Sequence, residues 1–157
     1  MPIRRPPAWT VIVVAMTAML CGAAIAQSPG SPSPLGLWQT VDDKTGKPAG
    51  LVRLYESGGK IFGKIEKSFR VGADEHSCVA CTDERRNQPI LGLVIIRSME
   101  RDGDEYRGGD ILDPDNGSVY RCILQLQDGG RKLRVRGYLG ISLLGRTQTW
   151  ERISGEP

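Results

Sequence analysis

Only one histidine, His76, occurs in the 157 residues. Multi-histidine metal sites are thereby excluded, and a Ser-His-Asp triad has little to be built from. No acidic residue precedes Asp42. No apolar run reaches the roughly 20 residues that a bilayer-spanning helix needs. Apolar residues never keep helical spacing for more than about three turns, so at most one short helix is expected, in the cysteine loop or at Ile141–Leu144. No internal repeat stands out. Net charge is also small: 21 Lys and Arg oppose 18 Asp and Glu. Two of those cations, Arg4 and Arg5, sit at the extreme N-terminus, so the remainder is close to neutral. The basic footprint of a nucleic-acid binder is missing.

What the N-terminus does carry is an export signal. Arg4 and Arg5 form a basic start, Val11 to Leu20 a short apolar run, and Ala24-Ile25-Ala26 an A-x-A cleavage site. Residues 1–26 therefore read as a signal peptide, which leaves no membrane span after cleavage and a periplasmic or secreted product. Two variants fit less well. Cys21 could accept lipid, but Leu20 stands where a small residue belongs. Arg4-Arg5 could open a twin-arginine signal, but Pro6-Pro7 follow. Residues 27–34, QSPGSPSP, read as a disordered Pro/Ser/Gly linker. The length left, 35–153, suits one domain with a single core.

Within 35–153 short apolar runs alternate with turn clusters, the signature of an all-β domain. Strands are expected at Gly36–Val41, Gly50–Glu56, Ile61–Lys67, Ile90–Ser98, Glu105–Leu112, Val119–Gln127, Lys132–Leu139 and Arg146–Ile153. Each breaker between them holds Gly, Pro, Asn or Asp. Tyr120, Cys122, Leu124 and Leu126 share one face against Arg121, Gln125 and Gln127. Leu133, Val135, Gly137 and Leu139 oppose Arg134, Arg136 and Tyr138 in the same way. One dry and one wet face per hairpin is most economically closed as a small up-and-down antiparallel β-barrel of about eight strands, which removes exposed edges. Such a barrel can hold one small ligand or be filled by its own side chains.

The residues that could carry chemistry are few. Gly36-Leu37-Trp38 opens the first strand and resembles the lipocalin signature, in which a Trp closes the barrel base under a late-strand Arg. Arg146 or Arg152, flanking Trp150, could supply that cation–π contact, and Trp38, Trp150 and Arg152 read as structural. Cys78 and Cys81 lie in a long loop after His76. A structural disulfide between them is favoured in an oxidising compartment. A redox dithiol, a zinc site with His76 and Cys122, and a bridge to Cys122 remain open. Cys122 itself lies on an apolar strand face and reads as a buried thiol. Asp113-Pro114-Asp115-Asn116-Gly117 fails as a calcium loop, with Gly fifth and no Glu at position twelve, and reads as a hairpin turn. No carboxylate pair qualifies as acid and base, so no catalytic residue is assigned. Arg136, Tyr138, Arg146 and Gln148 could converge at one barrel end and orient a polar or anionic ligand head.

Asn87–Ile95, Gly108–Leu126 and above all Leu133–Trp150, with Gly36-Leu37-Trp38 and Cys78-x-x-Cys81, closely resemble the bacterial family called domain of unknown function 2147. The resemblance spans nearly all of 35–153. It implies small exported proteins with a lipocalin-like, calycin-type barrel, and neither an activity nor a cofactor nor a catalytic residue. The leading expectation is a carrier of a small apolar or amphipathic ligand. The rivals are an envelope-interaction protein with a filled barrel, and an enzyme using the Arg/Tyr cluster or a cysteine. Oligomeric state is not legible.

Overall fold

The computed structural model describes residues 1–2, 32–70, 76–141 and 143–154. Residues 3–26 of the expected signal peptide and 27–31 of the expected linker lie outside those residues. Nine strands follow in chain order: β1 (Gly36–Val41), β2 (Pro48–Ser57), β3 (Lys60–Ser68), β4 (Val94–Asp102), β5 (Glu105–Arg107), β6 (Asp110–Asp113), β7 (Ser118–Gln127), β8 (Lys132–Tyr138) and β9 (Gly145–Arg152). All pairings are antiparallel, and β3 pairs with β4 while β1 pairs with β9. The short β5 and β6 share a single place between β4 and β7. The result is an eight-strand closed barrel. All nine strands belong to the compact unit Ser31–Pro157. No helix among the described residues is long and apolar enough to cross a membrane.

Period-two patterning explains the interior. Gly50, Val52 and Leu54 are buried on β2, and Ile61, Gly63 and Ile65 on β3, with half-exposed or exposed neighbours between them. Trp38 lies opposite Val52, Leu54 opposite Gly63, Gly63 opposite Ile96, and Leu133 opposite Trp150. Trp38, Leu54, Ile96, Met99, Leu124 and Leu133 are each at most 1% exposed. At Gly63 a Cβ would already touch Leu54 and Ile96, so large side chains fill this section of the lumen at the density of a packed core.

Three expectations need correction. β4 begins at Val94 rather than Ile90. The preceding Ile90-Leu91-Gly92-Leu93 is a turn that hydrogen-bonds to Ile65 from both Gly92 N and Leu93 O; Leu93 is buried, Ile90 half-buried and Leu91 exposed, and an apolar run alone does not distinguish turn from strand. At its other end β4 continues past Ser98 to Asp102. Ser98 sits at φ 56°, and the register shifts so that Ile96 and Met99, three apart, both face partners on β3. A bulge of this kind breaks the alternation on which the sequence reading relied. Finally, the expected strand Glu105–Leu112 is cut at Gly108-Gly109. The one helical feature among the described residues is a 3-10 turn at Asp128–Gly130, not the cysteine loop or Ile141–Leu144.

Because the strands meander, the barrel has two unlike ends. The turn end gathers the short β2–β3, β4–β5 and β7–β8 connections with the segment entering β1. The loop end gathers the connections β1–β2, β3–β4, β6–β7 and β8–β9.

Gly109 is where the broken strand crosses the bulged one. A Cβ there would lie 2.0 Å from the Arg97 carbonyl oxygen and 2.6 Å from Met99 Sδ. Backbone on one side and a fully buried side chain on the other leave no room to yield. Gly109→Ala should therefore lower stability by about 1–3 kcal/mol, the usual cost of overpacking, seen as a reduced urea midpoint with an unchanged slope.

Candidate functional site

At the turn end the side chains are structural. Arg152 lies over the Trp38 ring, 4.3 Å from its centroid. Its Nε donates to the Gly130 carbonyl, Nη1 to Leu35 and Nη2 to Ser33, each at 2.6 Å. Trp38 Nε1 donates to the Pro34 carbonyl at 2.8 Å. The guanidinium thus meets an aromatic face and three carbonyls, an arrangement suited to the weakly hydrated, multiply donating Arg. Burial pulls its pKa down from the ordinary Arg value. Of the two arginines considered for the cation–π contact, Arg152 makes it and Arg146 lies at the other end.

At the loop end the four candidate ligand residues separate. Arg146 and Gln148 share the inner parity of Trp150, opposite Gly137 and Val135. Arg136 and Tyr138 take the outer parity, opposite Thr147 and Gly145, and Arg136 Nη1 donates to Thr147 Oγ1 at 2.8 Å. The expected convergence of all four fails because a sheet lies between the pairs. The inner pair meets a residue that the sequence reading missed, Asp43 of the β1–β2 connection. Gln148 Nε2 donates to Asp43 Oδ2 at 2.7 Å, and Arg146 pairs with the same carboxylate. Gln148 Oε1 accepts from Trp150 Nε1 at 2.8 Å. A polar chain therefore runs from the packed Trp150 outward to Asp43 and Arg146. Asp43 gave no stronger signal than membership of a turn cluster.

Gly140–Gly145 was read as a breaker and Leu139 as the last dry-face residue of its strand; Leu139 instead lies beyond β8 and is exposed with the rest of the connection. Leu139 is 61%, Ile141 61%, Leu143 83% and Leu144 71% exposed. Three aliphatic side chains between Gly140 and Gly145, with Leu139 just before them, were the available signal.

Cys78 and Cys81 are joined in a disulfide, so neither offers a zinc thiolate or bridges to Cys122 in this state. Both are buried within the main core cluster. The loop is seated on the β6–β7 turn: Cys78 Sγ lies 3.6 Å from the Pro114 carbonyl oxygen, and a Cβ on Gly117 would collide with the Ala80 carbonyl. Arg70 ties the same turn down through Asp115. A charged network anchors the loop's second half. Arg85, 5% exposed, grips Asp83 with Nε and Nη2 and donates to the Val94 carbonyl at 3.2 Å. Arg97 joins Asp110 at 3.2 Å, Glu84 at 2.5 Å and Asp83 at 3.6 Å. Cys122 is free and buried, and desolvation, aided by Asp110, pushes its thiol far above the ordinary cysteine value. A thiol held protonated in this way is no nucleophile.

Two concavities mark the surface. One, of about 480 Å³, runs beside Arg85, Gln88, Leu91 and Arg97; the other, of about 320 Å³, lies beside Asp128, Lys132 and Glu151. Neither is lined by the core residues Trp38, Leu54, Met99 or Leu124.

The family model described as an uncharacterized protein conserved in bacteria (DUF2147) matches residues 36–152. Among solved structures, the fold is similar to protein HP1028 from the human pathogen Helicobacter pylori, described as belonging to the lipocalin family. The TM-score is 0.69 at 20% identity, over 78% of this chain and 84% of that one. Identity at that level supports a shared fold. No curated protein matches the chain.

Two outcomes follow from the buried groups. The Arg85 hydrogen bonds hold the Asp83 carboxyl down from 3.8 to about 2. A depressed carboxylate pKa contributes stability that is present above the unfolded value and lost as pH falls through the folded one. Asp83→Asn should thus be less stable than wild type by about 1–3 kcal/mol near neutrality, and the gap should close between pH 4 and pH 2 in denaturant titrations. In native protein, Cys122 should resist a thiol reagent such as DTNB over hours and react promptly once the chain is unfolded.

Proposed function

The chain belongs to the bacterial DUF2147 family, and from that premise we propose that it is an exported binding protein that takes a small apolar or amphipathic ligand at the loop end of its barrel. The observation that carries the reading is the unequal packing of the two ends. Around Trp38, Leu124 and Leu133 the interior is filled, whereas inward-facing polar groups and exposed aliphatic side chains gather at the loop end. Arg146 and Gln148 are the inner contacts for a polar head. The Arg146 side chain is 62% exposed beyond its pairing with Asp43, so an anionic head would compete with that carboxylate for the guanidinium. Leu139 and Leu144, at the base of the same connection, offer an apolar wall for a tail.

Export is supported by the N-terminal leader and by the Cys78–Cys81 disulfide, a bond that persists in oxidising compartments. The bridged pair and the buried Cys122 speak against a cysteine enzyme. The same packed interior favours a second reading, an envelope-interaction protein with a filled barrel.

Displacement of a fluorescent fatty acid from residues 27–157 by a panel of lipids separates the two. Saturable binding, weakened about tenfold in Arg146→Gln, the equivalent of about 1.4 kcal/mol, is the expected result. Absence of saturable binding across the panel would overturn the carrier and leave the interaction protein.

A further inference from the structure

The outward-facing half of the separated cluster lies next to the exposed loop, and the two together have a character that neither has alone. Along the outer face of β8 stand Arg134, Arg136 and Tyr138, and Tyr138 lies opposite Arg121 of β7. The positions directly across from Arg134 and Arg136 are Gln125 and Ile123 on β7, and Thr149 and Thr147 on β9. None is acidic. Arg134 Nη1 donates to Gln125 Oε1 at 3.2 Å, and Arg136 Nη1 to Thr147 Oγ1 at 2.8 Å. β8 then runs straight into the connection that carries Leu139, Ile141, Leu143 and Leu144, all more than 60% exposed. An uncharged aliphatic tip thus stands at the end of an arginine-rich strand face.

We propose that this tip and strand face dock the protein peripherally onto an anionic lipid surface. The aliphatic side chains enter the boundary between headgroups and acyl chains, and Arg134 and Arg136 meet the lipid phosphates. The charge decides between occupants. An apolar tip alone would suit any greasy partner, but an adjoining cationic face matches a surface that is apolar inside and negative outside. A second copy of this chain fits poorly, because a two-fold contact places the same patch on both sides and sets arginine against arginine. The docking stands independently of the carrier reading, although it would bring the loop end to a surface that holds amphipathic molecules.

The test uses residues 27–157, which retain every strand of the compact unit and omit the apolar leader, itself able to bind lipid. Sedimentation is measured with vesicles of phosphatidylcholine alone and with 40% phosphatidylglycerol. Partitioning should be at least tenfold stronger onto the anionic vesicles and should fall steeply with salt. Leu143→Asp combined with Leu144→Asp should abolish it. Arg134→Gln combined with Arg136→Gln should weaken it severalfold and flatten the salt dependence. Gln127→Glu with Ser154→Asp, adding two negative charges at the turn end, should leave it unchanged. Circular dichroism melts check that each variant is folded, and the surface arginine pair serves if the leucine pair misfolds. Equal binding to both vesicle types, no binding to either, or equal losses in the turn-end control would overturn the proposal. So would vesicle-free self-association, seen by light scattering, that disappears in the Leu143/Leu144 variant. Fatty-acid displacement without vesicles reads the carrier separately, so failure of one leaves the other standing.

Discussion

Closure of the sheet is the constraint on which everything else in this chain rests, and it is made by the shortest of means. β1 and β9 share only two register pairs, Trp38 with Arg152 and Gln39 with Glu151. Unclosed, both would present rows of unpaired amides and carbonyls, open to pairing with other chains. Arg152 reinforces the seam out of proportion to its length. Its backbone amide donates to Arg131, its guanidinium binds three carbonyls from two separate segments, and its flat face covers Trp38. One residue thereby holds the entering chain, the last strand and the β7–β8 turn around the bulkiest core side chain. Both partners can be read as the base of the barrel because the contact needs an aromatic face on the first strand and a rigid multiple donor on the last.

That seam sets the difference between the two ends. Where Arg152 seals the chain, connections are short and the interior is filled by Trp38, Leu124, Leu133 and Trp150. Away from it the connections lengthen, and the chain needs other fastenings. The disulfide and the Asp83–Arg85–Arg97–Asp110 network provide them. Arg85 is nearly buried, and a cation so placed is tolerated when carboxylates and a carbonyl satisfy it. The carboxylates Asp83 and Asp110 are accordingly engaged in holding a loop.

Much of the barrel was legible because alternation and turn chemistry agree along most of the chain. β1 matches its expected range, and β7 and β8 each differ by one residue. The failures have a common origin. At Ser98 a bulge inserts a residue, and at Gly108-Gly109 the chain breaks direction. In both cases a period-two reading has no term for the change. Ile90–Leu93 forms a turn that buries Leu93 and packs Ile90 against the core rather than a strand. The candidate site failed differently. Arg136, Tyr138, Arg146 and Gln148 are close in sequence, and the reading weighed that closeness above parity. Parity was available: Arg136 and Tyr138 oppose Val135 and Gly137, while Arg146 and Gln148 fall in step with the buried Trp150. Asp43, about a hundred residues away in sequence, could be placed beside them only by the closed sheet.

The separation of that cluster has a consequence for how a barrel of this size can work. Residues on a single hairpin are divided by the sheet into an inner and an outer set, and the two sets meet different solvents. Arg146 and Gln148 are held by Asp43 and Trp150 and face a lumen that is filled below them. Arg134 Nη1 bonds to Gln125 and Arg136 Nη1 to Thr147, and both residues take the outer parity. Only the connection between β8 and β9 belongs to both sets, since it is the point where the hairpin turns over. Apolar side chains exposed there are costly for a soluble protein unless something covers them. A ligand tail from the inner side and a surface from the outer side are both within reach of the same four residues. Interior packing leaves little room for cargo deep in the barrel, and that is why the proposed contacts are placed at its rim.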